Sequence, residues 1–263
     1  MVEVVEVKAR RALTPSGIYS VDYSLNPYVG CQHACRYCYV PFTYGFQDPS
    51  TWGRVVKVKV NLPRLLSREV KELGCFKVLV SSVTDPYQPL EARLGLTRAC
   101  LEVLKDSGAE VVLLTKSDLF TRDLDVLASL RACEVGVTVT TLRAHGWLEP
   151  YSPPPRRRLE ALKEASRRGL DTFLFLGPLI PELADLELPQ LLDAAVEAGC
   201  SRVVVDKLRL RPGLEDRLAS ALSSFTKSRW ALKAARQRGY YEELRGRLVK
   251  LAEERGLEVE FCY

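Results

Sequence analysis

Lys77-Val78-Leu79-Val80, then Leu96, Cys100, Val103 and Leu104, then Gly108 and Glu110-Val111-Val112-Leu113-Leu114 make up one full period of the pattern that sets the fold. The two short apolar runs have the length of buried strands. The four residues between them share one face of a helix, and Gly108 stands where that helix should stop. The period repeats in both directions. On the N-terminal side Tyr23 to Tyr28 reads as a strand, and Leu62, Leu65, Leu66, Val70 and Leu73 share a helical face that ends at Gly74. On the C-terminal side Val135 to Val139, Thr172 to Leu176 and Arg202 to Val205 read as strands, the last two preceded by Gly169 and Gly199. Val55 to Val60 alternates apolar residues with Lys, the mark of an edge strand or a β-extension.

Strands alternating with helices imply parallel pairing through right-handed crossovers. Six such βα units are too few for an eight-unit barrel, which leaves a partial barrel or an open doubly wound sheet. In either α/β architecture the chemistry belongs at the C-terminal ends of the strands. The 263 residues, 47% hydrophobic and 27% charged, show no composition break and read as a single domain, 1–263. No run approaches the roughly 18 apolar residues of a membrane span. Met1-Val2-Glu3-Val4-Val5-Glu6 carries acid where a signal peptide carries base, so the expected location is cytoplasmic.

In that compartment eight cysteines are expected to be ligands and core residues rather than a disulfide framework. Cys75, Cys133 and Cys200 fall at helix-to-strand junctions, the end of the sheet away from the chemistry, and Cys100 falls on a helix core face. All four read as buried structural thiols. Cys262 has no assignment. The other three lie in Asn26-Pro27-Tyr28-Val29-Gly30-Cys31-Gln32-His33-Ala34-Cys35-Arg36-Tyr37-Cys38-Tyr39. Thiolates at this spacing can each bind one iron of a 4Fe–4S cubane, leaving the fourth iron without the Cys that a ferredoxin would supply. An open iron suits a chelating ligand such as the amino and carboxylate groups of S-adenosylmethionine (SAM). The alternative is zinc, which wants four closed ligands. His33 is the nearby fourth candidate, but it lies two residues from both Cys31 and Cys35, too close for an easy tetrahedral bite.

The CxxxCxxC motif with an aromatic before the last Cys resembles the radical SAM signature. Its context is similar to the spore photoproduct lyase-like branch, a DNA-repair group. Companion segments are Thr84-Asp85-Pro86-Tyr87-Gln88-Pro89, Leu114-Thr115-Lys116-Ser117, Glu149-Pro150 with Arg157 or Arg158, and Pro178-Leu179-Ile180-Pro181. The resemblance runs from about Thr14 to Leu210 and implies a partial (β/α)6 radical SAM barrel followed by a basic helical extension, 211–263. It implies a 4Fe–4S cluster on Cys31, Cys35 and Cys38, and SAM split into methionine and a 5′-deoxyadenosyl radical that takes hydrogen from a substrate. An electron donor such as a ferredoxin or flavodoxin is implied too. Tyr37 would lie near the adenine, and Thr84, Lys116 and Thr138 match positions that hold the methionyl carboxylate or amine. The residues themselves agree. Thr84 and Lys116 stand just past apolar strands, Thr138 lies in the next strand, and a Lys beside buried strands is costly unless it meets an anion.

The sequence departs from the lyases at one catalytic position. They carry a hydrogen-donating Cys just before the segment matching Thr84, where this chain reads Ser81-Ser82-Val83. The stronger O–H bond bars Ser82 from that transfer, while Tyr39 matches a tyrosine of the lyases' hydrogen-return path. Tyr19, Tyr23, Tyr28, Tyr39, Phe42, Tyr44 and Phe46 bracket the cysteine loop, either as packing or as a stacking surface for bases. Lys227 to Lys250 carries eight Lys/Arg against two Glu, read first as a solvated helix face and second as an anion-binding one. Arg156-Arg157-Arg158 reads equally as a phosphate contact or as a polar helix start. Three functions follow: a radical SAM enzyme acting on nucleic acid, one acting on a small metabolite or peptide, and a non-catalytic zinc or iron–sulfur protein.

Overall fold

The computed structural model describes residues 2–18, 20–43, 48–223 and 228–263. Its strands are β1 (Glu3–Val7), β2 (Leu13–Pro15), β3 (Tyr23–Leu25), β4 (Tyr28–Val29), β5 (Val55–Lys59), β6 (Lys77–Val80), β7 (Glu110–Thr115), β8 (Ala132–Thr138), β9 (Asp171–Leu179), β10 (Arg202–Lys207) and β11 (Glu258–Phe261). One sheet has the order β11-β10-β9-β8-β7-β6-β3-β2, parallel throughout except for β2 against β3. Parallel strands laid down in sequence order never reverse direction across the sheet, whereas a doubly wound sheet needs such a switch point. The arrangement is the partial barrel.

Three elements differ from the sequence reading. The strand expected over Tyr23 to Tyr28 breaks at Asn26-Pro27, and its second half pairs antiparallel with β5. Pro27 has no N–H to continue the ladder, and beside it the Asn26 Oδ1 accepts from the Ser82 and Val83 amides at 3.0 and 3.2 Å, tying the break to the segment after β6. β5 is the centre of a second, three-stranded sheet, β1-β5-β4, rather than an edge. The extension expected as helical carries helices Leu214–Leu222, Ser228–Ala235 and Arg238–Glu253, then returns β11 to the parallel sheet.

The main core fills the space between sheet and helices. Leu62, Leu66, Leu101 and Leu104 come from the helices Leu62–Glu69 and Leu96–Lys105, and Val78, Val80, Leu113, Val135, Val137, Leu174 and Val203 from the strands. Among the described residues no helix is long and apolar enough to cross a membrane.

Candidate active site

The cysteine loop leaves β4 through Gly30, which has φ +93° and packs so closely that a Cβ would meet the Val55 carbonyl oxygen at 2.4 Å. Only glycine fits such an approach. Cys31 packs with Ala34, Val40 and Trp52, and Cys35 with Tyr37, Ala144 and Leu148, while Cys38 touches both groups. Burial pushes all three thiols up, Cys35 to about 12. The Lys116 charge pulls Cys35 and Cys38 back toward the thiolate, and Arg217 adds to this at Cys38. Three thiols on one loop between two cations fit an anionic cluster that displaces their protons as it binds.

Inside the barrel a buried network holds Tyr37. Its hydroxyl donates to Glu149 and accepts from Thr140 Oγ1 at 3.0 Å. Glu149 pairs with Arg158 at 2.5 Å, both essentially without solvent exposure. The same guanidinium donates to the Thr138 carbonyl at 2.9 Å, the Pro153 carbonyl at 2.7 Å and Ser152 Oγ at 2.6 Å. Burial works against the Glu149 charge, but Arg158 and then Lys116 outweigh it and hold the carboxyl below its usual range. Arg158 is thus a structural cation and not a phosphate contact, while Arg157 pairs with Asp118.

A second hub is Asp85, also buried. It accepts from the Tyr87 amide at 2.9 Å, the Thr115 hydroxyl at 2.6 Å and the Lys116 amide at 2.8 Å. His33 Nε2 stands 3.4 Å from the same carboxylate, an ion-pair distance without a well-formed hydrogen bond, and His33 Nδ1 lies 3.2 Å from the Tyr151 carbonyl. Burial opposes the Asp85 charge, and His33, Thr115 and Lys116 more than offset it, so the carboxyl sits well below the usual range. With both nitrogens turned to other groups, His33 is poorly placed to complete a zinc site.

The Lys116 ammonium lies over the Tyr37 ring, 5.7 Å from its centroid. Burial would lower its pKa, but the Cys35 thiolate, Glu149 and Asp85 raise it, so Lys116 is a cation here. Among the described residues no carboxylate lies within ion-pair distance of Nζ. Thr84 Oγ1 donates to the Gly30 carbonyl at 2.6 Å and accepts from Gln88 Nε2 at 3.2 Å. Ser82 Oγ accepts from Asn26 Nδ2 at 3.3 Å. Ser81, between β6 and Ser82, is held at φ +72°, a strained backbone for a residue with a Cβ. Thr138 is buried at the end of β8. Tyr39 is 37% exposed on the outer part of the loop.

The radical SAM superfamily model matches residues 25–195, which span the cysteine loop and the strands through β9. The chain belongs to the radical SAM superfamily. The family implies a 4Fe–4S cluster and SAM, and the chain is a radical SAM enzyme. An uncharacterized protein of Methanocaldococcus jannaschii is 38% identical over 189 residues, covering 71% of each chain. One of Mycobacterium bovis is 35% identical over 202 residues, covering 72% of this chain and 59% of its own length. Among solved structures, a cysteine-to-serine variant of spore photoproduct lyase superposes with a TM-score of 0.75 at 16% identity, covering 98% of this chain and 82% of that one. Streptococcus suis SuiB bound to SAM gives 0.60 at 15% identity, covering 93% and 51%. At such identities these structures show the fold.

Of the residues singled out in the sequence, Tyr37, Lys116 and Cys35 come together, and Thr84 joins the cysteine loop through Gly30. Thr138 reaches this network only through its carbonyl. Sequence reasoning gave no role to Asp85 or Glu149 and read Arg158 only as a phosphate contact or polar helix start, although each lies in a quoted companion segment. It also missed Arg217, which donates to the Ala34 and Cys35 carbonyls at 3.2 and 3.1 Å. The aromatic bracket is partly core: Tyr23 packs edge-on against Phe76, and buried Tyr28 donates to Glu91. Tyr19, Tyr44 and Phe46 lie outside the described residues. In the basic segment Arg236 and Arg247 pair with Glu215 and Asp185, and Arg245 stacks on Phe261, so these charges serve the fold; Lys227 lies outside the described residues. Cys100 and Cys200 are buried as expected, Cys133 partly so, but Cys75 is exposed, its Sγ 2.8 Å from Arg131 Nη1.

Proposed function

We propose that the enzyme cleaves SAM reductively with a 4Fe–4S cluster on Cys31, Cys35 and Cys38 and takes a hydrogen atom from a nucleic-acid base, without the thiol-dependent return step of a spore photoproduct lyase. The observation that carries the SAM reading is the Lys116 ammonium, half-buried, raised in pKa by the Cys35 charge and not ion-paired with a carboxylate among the described residues. When bound and reduced, the cluster supplies the electron that splits SAM. The chain's own residues bind and orient. Lys116 meets the methionyl carboxylate, and Tyr37, its hydroxyl fixed by Glu149 and Thr140, presents a ring that cannot swing away. A Thr hydroxyl has one donor and two lone pairs. Thr84 has spent the donor on Gly30 and one lone pair on Gln88, so the remaining lone pair suits the methionyl ammonium and not the carboxylate.

The nucleic-acid reading is supported by the likeness to spore photoproduct lyase over nearly the whole chain, one of those structures being complexed with a dinucleoside spore photoproduct. A small metabolite or peptide is the second reading, favoured by the pairing of the basic segment within the fold. Salt-dependent binding of an oligonucleotide separates the two.

Ser82 tests the missing return step. Ser82→Cys restores a weak S–H bond with little change in volume. Neither wild type nor Ser82→Cys is expected to repair a spore-photoproduct dinucleotide, while both form 5′-deoxyadenosine anaerobically. Repair by the wild type as efficient as by Ser82→Cys would show that no thiol is needed and that this enzyme is a true lyase.

A further inference from the structure

The cysteine loop has a second face. Outside the barrel it borders a cleft of about 790 Å³ whose walls include Gln32, Ala34, Arg36, Trp52, Arg54 and Arg217. Three arginines converge there, and no Asp or Glu lines the cleft. Most other arginines near a carboxylate are paired, as at Arg98, Arg122, Arg202 and Arg255. Arg36, Arg54 and Arg217 form no ion pair among the described residues. Asp48, the acid nearest in sequence to Arg54, spends its carboxylate on the Ser50 amide and hydroxyl at 2.8 and 2.6 Å and feels the Arg54 charge without an ion pair, while Glu215 beside Arg217 pairs with Arg236. Arg36 and Arg54 are exposed, and Arg217 lies half-buried against the loop carbonyls. The crowding costs something electrostatically: burial lowers the Arg217 pKa, and the Arg36 charge lowers it further. Like charges left unpaired around a cleft mark a surface built to meet an anion.

None of Tyr37, Ser82, Thr84, Lys116 or Thr138 lines this cleft. An anion seated in it meets Gln32, Ala34 and Arg36 of the cysteine loop rather than the residues that would hold SAM. The cleft shares Gln32, Ala34 and Arg36 with the loop that carries Cys31, Cys35 and Cys38, so a carrier seated there lies beside the cysteines that would hold the cluster.

We propose that this cleft docks the physiological reductant, an acidic one-electron carrier protein whose carboxylates pair with Arg36, Arg54 and Arg217. The proposal rests on the radical SAM reading, since only a cluster on these cysteines needs the electron. One electron leaves the carrier's reduced cofactor, which is oxidised by one equivalent, and enters the cluster, which is reduced by one; no bond is made and no proton moves in this step. Arg217 has a double part, since it also fixes the loop whose cysteines take up the charge.

The test compares two electron sources. SAM cleavage by the reconstituted enzyme is driven either by an acidic flavodoxin held reduced by its reductase or by dithionite, which is small and needs no docking face. The variant Arg36→Glu/Arg54→Glu is expected to lose at least tenfold in flavodoxin-driven rate at sub-saturating flavodoxin, to stay within twofold of wild type with dithionite, and to remove the salt dependence of the flavodoxin reaction. The neutral pair Arg36→Gln/Arg54→Gln should lose less, as charge steering requires. An unchanged flavodoxin rate in the Glu variant overturns the proposal. So does an equal loss with both reductants, which would make these arginines part of the fold, or a loss of oligonucleotide binding with the flavodoxin rate intact, which would assign the cleft to nucleic acid. Failure of the wild type to cleave SAM even with dithionite would instead sink the radical SAM reading.

Discussion

Three cysteines stand near each end of the parallel sheet. Cys31, Cys35 and Cys38 lie on the loop that leaves β4, while Cys75, Cys133 and Cys200 stand where β6, β8 and β10 begin. Burial raises thiol pKa values at both ends, with Cys35, Cys133 and Cys200 each pushed up to about 12. The neighbours differ. At the loop, Lys116 favours thiolate at Cys35 and Cys38 and Arg217 adds to this at Cys38; at the far end Glu134 and Asp171 oppose it at Cys133. The thiolate is the ligand form, so residue type is shared and electrostatic surroundings are not. The contrast is sharpest between Cys35 and Cys38, which Lys116 favours as thiolates, and Cys133, which Glu134 and Asp171 hold as a thiol; at Cys31 Asp85 opposes ionisation, and at Cys200 Arg202 favours it.

The comparison breaks most sharply at the cysteines themselves. Cys31→Ala, Cys35→Ala or Cys38→Ala should abolish SAM cleavage, whereas Cys75→Ala, Cys133→Ala and Cys200→Ala should retain it and affect stability at most. Loss of iron in Cys200→Ala with retention in Cys31→Ala would reverse the assignment.

A smaller effect sharpens the contrast in charge. Replacing Arg158 by Met leaves the Glu149 carboxylate buried and unpaired, which should cost about 3–5 kcal/mol. Adding Glu149→Gln should recover much of it, as measured by chemical denaturation of the apoprotein. An Arg158→Met protein as stable as wild type would mean that the network around Tyr37 is incidental. Lys116→Ala comes next and should weaken SAM binding by about 1.5–3 kcal/mol, the range for a charged hydrogen bond, with the cluster absorbance unchanged. Unaltered SAM affinity would leave Lys116 without a ligand role.

The smallest effect is on acid sensitivity. A carboxylate held below its unfolded value of about 3.9 stabilises above that pH and loses its contribution as pH falls through the folded value. Asp85 is such a group. The gap in Tm between wild type and Asp85→Asn should therefore be widest at neutral pH and narrow below about pH 4. A gap independent of pH would mean that Asp85 acts through shape alone.

Much of this architecture could be read from the chain. The buried strands are continuous apolar runs, and the loop cysteines announce themselves by spacing. β11 was harder: Glu258-Val259-Glu260-Phe261 alternates only twice and lies on the sheet edge beyond a helical segment. The break at Asn26-Pro27 turns on a side-chain oxygen that accepts from two backbone amides of another segment, which periodicity does not register. The burial of Arg158 inside an Arg-Arg-Arg run depends on where Glu149 ends up, and Asp85 becomes a hub only when β6, β7 and the cysteine loop meet. Companion motifs flagged these residues without giving their roles. Roles follow from partners, and partners from tertiary structure.

The central claim is that Cys31, Cys35 and Cys38 form a cluster site that cleaves SAM. Its most direct test is anaerobic reconstitution with iron and sulfide, followed by quantification of metal and of 5′-deoxyadenosine formed from SAM with dithionite. The account predicts about four irons per chain and 5′-deoxyadenosine from wild type, with neither in Cys35→Ala. One tightly held zinc and intact SAM would contradict it.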